Sequence, residues 1–141
     1  MLHGTVFSDY DDSGRLSFYE ARGGFYMASR LHSRLYRNPG TSNHVFEVRL
    51  IGTDSNNDAI GSRLMVACGD KRVYQQVDGG SGFGSMNSRT IHFGLGAKQT
   101  IDSLTVDWPR GLHQVWRNPP ADTRVEITEG KAEFRVLKHF R

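Results

Sequence analysis

Between residues 9 and 20 the chain reads Asp9-Tyr-Asp11-Asp-Ser13-Gly-Arg15-Leu-Ser17-Phe-Tyr-Glu20. Counted from Asp9, side-chain oxygens fall at positions 1, 3, 5, 9 and 12, through Asp9, Asp11, Ser13, Ser17 and Glu20. Gly14 at position 6 permits a sharp turn, and Arg15 at position 7 can offer its backbone carbonyl. That alternation of oxygens is what Ca2+ requires, because the ion takes six to eight oxygen ligands in a flexible cage. Two hydroxyls, Ser13 and Ser17, stand where carboxylates give the tightest sites, so the expected affinity is weak and millimolar. The competing reading is an Asx-rich turn whose carboxylates face water.

The flanks decide what carries this loop. A helix-loop-helix site needs a helix on each side, but Gly4-Thr-Val-Phe7 is short and β-like, and Leu16-Ser-Phe-Tyr19 alternates as a strand does. The spacing therefore predicts an acidic loop at the turn of a β-hairpin.

Further along, Val45 to Ile51 alternates, with Phe46, Val48 and Leu50 on one face. Comparable runs recur at residues 63–67, 73–77, 90–93, 101–108, 113–116, 124–128 and 133–137, separated by clusters of Gly, Asn, Asp and Pro. This predicts an all-β chain, an antiparallel sandwich of jelly-roll type rather than alternating βα units. Residues 28–36 stay ambiguous between a short helix and a strand running into a turn. Residues 38–43, Asn-Pro-Gly-Thr-Ser-Asn, read as a linker, dividing the chain into a piece at 1–40 and a β domain at 41–141.

With 141 residues, 37% of them hydrophobic and 23% charged, the chain has the length and composition of one compact domain with an appendage. No apolar run is long enough for a membrane span, so no membrane insertion is expected, and the first residues lack the pattern of a signal peptide. A net charge of +3 is too small to argue for nucleic acid, and no recognition helix or base-stacking motif accompanies it. The single Cys68 sits in an apolar run and is expected to be a buried hydrophobe. Asp54, Asp58, Asp78, Asp102, Asp107 and Glu129 are the carboxylates a glycosidase could pair, yet no spacing marks a pair and no nucleophile or nucleotide motif occurs. The chain is expected not to be an enzyme.

The order of motifs carries a resemblance. Asn43 to Gly52, Ser55 to Gly61, the glycine-rich Gly79 to Ser85, His92-Phe-Gly-Leu-Gly96, Val106-Asp-Trp-Pro-Arg-Gly111 and Glu129-Gly130 resemble the ASPIC/UnbV domain family. Residues 5–38 resemble the end of the FG-GAP (VCBS) repeats that precede this domain in the family, where hairpins carry calcium loops. The resemblance implies a remnant propeller blade before the β domain. It also implies Asp9, Asp11, Ser13 and Ser17 as side-chain ligands of Ca2+ and Arg15 as a backbone ligand, with Glu20 belonging only to the helix-loop-helix pattern. It further implies secretion as part of a longer precursor, and a noncatalytic binding or adhesion role toward an extracellular protein or glycan. A carbohydrate-binding or carbohydrate-active domain is the alternative.

Physical reasons stand beside those motifs. Gly94 and Gly96 suit a bulge or tight turn that drops Leu95 into the core, and His92 is expected to be a hydrogen-bonded structural histidine. The polar loops at 52–57 and 78–87 form the candidate partner-facing surface. Phe83 stands at the tip of the second, with packing beneath its own loop as the favoured expectation.

Overall fold

The computed structural model describes residues 2–23, 31–80 and 82–140. Among them there is no helix, and eleven strands form three sheets. The chain resolves into two compact units, Met1–Gly40 with Gly79–Ser88, and Thr41–Asp78 with Arg89–Arg141. The excursion of Gly79–Ser88 into the first unit had no counterpart in the sequence division.

The first unit holds β1 (Leu2–Ser8), β2 (Ser17–Arg22) and β3 (Arg34–Tyr36) as an antiparallel meander. Phe7 faces Phe18 across the first pair and Phe18 faces Tyr36 across the second. The acidic loop closes the β1–β2 hairpin. Of the ambiguous segment at 28–36, the described end is strand β3, and its earlier part lies outside the described residues.

The second unit is a β-sandwich. One sheet has the order β11 (Phe134–His139), β10 (Thr123–Thr128), β4 (His44–Ile51), β7 (Ile91–Gly96). The other runs β6 (Lys71–Gln76), β5 (Arg63–Cys68), β8 (Ser103–Asp107), β9 (His113–Arg117). Phe46, Val48, Leu50, Phe93, Leu95, Val125 and Ile127 from the first sheet meet Leu64, Val66, Leu104, Val106 and Trp116 from the second in one core. Cys68 is buried in the same core, where loss of solvent, and then the nearby Asp102 carboxylate, push its thiol pKa up.

The first sheet is mixed rather than purely antiparallel. β4 and β10 run parallel, in register from Thr123 beside Phe46 to Thr128 beside Ile51. Parallel neighbours need a long crossover, and here the chain between them passes through the other sheet. β4 is an interior strand whose outer face is buried at Val45 and Glu47 and exposed at Arg49. Phe46, Val48 and Leu50 point into the core as expected, and Glu47 on the opposite face is buried as well.

Opposite the start of β4, the ladder skips a residue. Val45 pairs with Gly94 and His44 with Gly96, leaving Leu95 as the extra residue of a bulge, its side chain 3% exposed in the core. Gly96 follows at φ 63°, a conformation that costs an L-residue about 1 to 2 kcal/mol. Gly96→Ala is expected to lower stability by roughly that amount, read as a lower urea midpoint at unchanged m-value. An unchanged midpoint would show that the bulge relaxes.

Candidate functional site

Asp9 follows the last residue of β1, and its carboxylate organises the loop. One oxygen accepts the Ser13 N–H at 2.8 Å and the other the Gly14 N–H at 2.9 Å. Asp12 and Gly14, at φ 54° and 77°, supply the left-handed steps that let the chain curl around it. The Ser13 hydroxyl donates to Asp11 at 2.5 Å and accepts from Arg15 Nε at 3.0 Å, while Arg37 donates to the second Asp11 oxygen at 3.3 Å. The Ser13 hydroxyl first, joined by the Arg37 and Arg15 guanidiniums, holds the Asp11 carboxyl below its ordinary range against the opposing effect of desolvation.

The structure thus brings Asp9, Asp11 and Ser13 together. It leaves the other two side chains serving the sheet. Ser17 is buried and accepts the Asn38 N–H at 3.2 Å, whereas Glu20 pairs with Arg22 at 2.8 Å and accepts the Tyr36 hydroxyl at 3.3 Å. Arg15 directs its guanidinium to Ser13 and to the Pro39 carbonyl. Among the described residues, no three His, Cys, Asp or Glu side chains are grouped to hold a metal. The residues present fit a partial oxygen set, one that a cation shares with two guanidinium groups.

Also in this unit, the loop at 79–88 is tied to the sheet. Ser85 donates its hydroxyl to the Thr5 carbonyl at 3.3 Å, Asn87 accepts the Phe7 N–H at 3.0 Å, and Gly82 bridges Ser85. Gly84, at φ 61°, turns the tip. Phe83 does not pack beneath its loop. It stands 84% exposed, with the two anchoring contacts seating Ser85 and Asn87 on the sheet and the ring at the tip in solvent. Phe7, Phe18 and Tyr36 form an aromatic ladder across the meander, with ring centroids 5.1 and 5.4 Å apart. Sequence reasoning passed over this ladder. Its signal was the near-symmetric placement of Phe7 and Phe18 about the acidic loop, which hairpin pairing turns into a facing pair.

In the sandwich, the loop at 52–57 closes on Glu129. The carboxylate is 4% exposed and one oxygen accepts the N–H groups of Thr53, Asp54 and Ser55 at 2.8, 3.0 and 2.7 Å. The other accepts the Ser55 hydroxyl at 2.7 Å. Burial raises the pKa of this group, but the Ser55 hydroxyl and the three backbone donors outweigh it and leave Glu129 below its ordinary value. A Cβ on Gly52 would collide with the Asn56 carbonyl, so the chain passes this close to itself only through glycine.

Four of the other acids that a glycosidase could use are engaged separately. Asp54 pairs with Arg110, Asp58 with Arg89, Asp107 with His113, and Asp102 accepts the Gly69 N–H at 2.6 Å. His92 places Nδ1 3.2 Å from Glu47 Oε1, and Glu47 Oε2 accepts from Arg124 Nε at 2.7 Å, the structural role expected of this histidine. No helix of the described residues is long and apolar enough to cross a membrane. A family model described as ASPIC and UnbV matches residues 52–134. No match was found among curated proteins.

Proposed function

We propose that this chain, which belongs to the ASPIC and UnbV family, is a noncatalytic binding module of a secreted, longer protein, engaging an extracellular protein or glycan. The observation that carries this reading is Phe83. A phenyl ring held 84% in solvent by a loop bonded to the sheet beneath it contributes nothing to the core and is ready to be buried by a partner. In support, five of the six acids that a glycosidase could use, Asp54, Asp58, Asp102, Asp107 and Glu129, bond separate partners. The test is an array of glycans and matrix proteins probed with the wild-type chain and with Phe83→Ala. Binding lost in the variant supports the reading, and binding indifferent to Phe83 sinks this surface.

The first unit is read as the last piece of an FG-GAP-type repeat. Phe7 and Tyr36 are exposed on one face of the meander, Tyr19 and Leu35 on the other, as suits a sheet packed on both sides by neighbouring blades. Ca2+ is assigned weakly to Asp9, Asp11 and Ser13. With Arg37 sharing Asp11, calorimetric heat is expected only at about millimolar Ca2+, and Arg37→Ala should tighten binding a few-fold. Absence of heat from both proteins at about 10 mM removes the site.

A further inference from the structure

The two outer faces of the sandwich are built differently. On the β11-β10-β4-β7 sheet, charges satisfy one another, with Glu47 bonded to Arg124 and His92, and Glu126 bonded to Arg135 at 2.8 Å and near Arg49 at 3.8 Å. On the β6-β5-β8-β9 sheet they do not. Alternation puts Leu64, Val66, Leu104 and Trp116 inside, so the register places Tyr74, Met65, Thr105 and Val115 in one row across the outside. Tyr74 is 72% exposed and Val115 is exposed. A second row carries Arg72 at one end and Arg117 at the other, and a third carries Arg63 beside Asp107.

The charge on this face is unbalanced. Its one carboxylate, Asp107, bonds His113 at 2.6 Å. Arg63 and Arg117 are exposed and make no ion pair with another described residue, and Arg72 donates only to the Gly69 and Lys71 carbonyls. Three guanidiniums therefore flank a largely apolar row, with Asp107, already bonded to His113, as the one carboxylate in these rows. Guanidinium is suited to bind carboxylate or sulfate through paired N–H groups, and the tyrosine ring offers a stacking surface beside them.

Size decides what such a face takes. Four strands at about 4.8 Å spacing and five to six residues of about 3.3 Å rise give a floor of roughly 14 by 20 Å. That is well under the roughly 800 Å² each partner contributes to a stable protein interface. Single-stranded nucleic acid calls for successive stacking aromatics, and in these rows Tyr74 is the one Phe, Tyr or Trp, with His113 bonded to Asp107 in a different row. We infer that the outer face of the β6-β5-β8-β9 sheet binds an extended acidic polysaccharide, its carboxylates or sulfates on Arg63, Arg72 and Arg117 and one sugar ring against Tyr74. This site is separate from Phe83 and does not depend on that reading.

Calorimetric titration with polygalacturonate, heparin, neutral dextran and oligo(dT) tests it, using the whole chain. Binding of at least one acidic polysaccharide is expected, with dextran silent and oligo(dT) weaker by about tenfold or more. Polygalacturonate against heparin tells carboxylate from sulfate. Arg63→Gln/Arg117→Gln should weaken the binding about tenfold or more, Tyr74→Ala several-fold, and Phe83→Ala and Arg135→Gln not at all. All of these positions but Tyr74 are charged or loop-tip residues on the surface, and circular dichroism of Tyr74→Ala checks that the sheet stays intact. Failure of both acidic polymers to bind overturns the inference. So does affinity unchanged by the arginine pair, affinity unchanged by Tyr74→Ala, which marks mere adsorption of polyanion, or oligo(dT) bound as tightly.

Discussion

Glu129→Ala is expected to lower the unfolding free energy by about 3 to 5 kcal/mol, because one truncation strips partners from four donors at once. The N–H groups of Thr53, Asp54 and Ser55 and the Ser55 hydroxyl all converge on this carboxylate. Its backbone joins the same network, since the Glu129 N–H reaches the Ile51 carbonyl and its own carbonyl accepts the Thr53 hydroxyl. Besides these bonds, the loop at 52–57 is closed by the Gly52 N–H on the Asn57 carbonyl at 3.0 Å. The pH dependence follows from the sign of the shift. Glu129 titrates below its ordinary value of 4.5 in the folded chain, so its contribution is present in full above about that pH and is lost as pH falls through the lower folded value. Urea unfolding of wild type should weaken over that acid range, and Glu129→Gln, which has no charge to protonate, should flatten this part of the profile. Equal urea midpoints for wild type and Glu129→Ala at pH 7 would refute the clamp.

The sequence made the alternating elements readable. Phe46, Val48 and Leu50 were legible as an inward face, and the Gly94-Leu-Gly96 spacing as a bulge, because each depends on local pattern alone. The acidic hairpin was legible for the same reason. What stayed hidden depends on contacts far apart in the chain. The parallel pairing of β4 with β10 leaves no trace in periodicity, since a strand reads alike in either direction. The burial of Glu47, opposite the Phe46, Val48 and Leu50 face, was not legible, because alternation reports a face and not what covers it. Phe83 looked like a packing residue because apolar character is the usual mark of burial, and only the folded loop, seated through Ser85 and Asn87, shows the ring in solvent. The six candidate calcium ligands followed the spacing of a loop, but Glu20 lies in strand β2, where pairing with β3 brings it to Tyr36 instead.

Glu47→Ala is expected to be as damaging, about 3 to 5 kcal/mol, by a different route. Glu47 is 1% exposed, and its two oxygens join residues from both neighbouring strands, His92 of β7 and Arg124 of β10. Removing it takes from the largely buried Arg124 guanidinium, near the Phe140 ring at 5.6 Å, the carboxylate it bonds at 2.7 Å. That is the costly half of a buried pair: the desolvation of the cation remains while this pairing is lost. The expected signature is therefore non-additive. Arg124→Ala alone should also destabilise, but Glu47→Leu/Arg124→Leu, which removes both charges and restores apolar volume, should lose less than Glu47→Ala. Because β4 and β10 are joined in parallel with no turn between them, this side-chain bridge also helps to fix their register. Strict additivity in the Glu47/Arg124 cycle, measured by urea unfolding at pH 7, would mean that the two residues act separately and that the sheet is held by its core face alone.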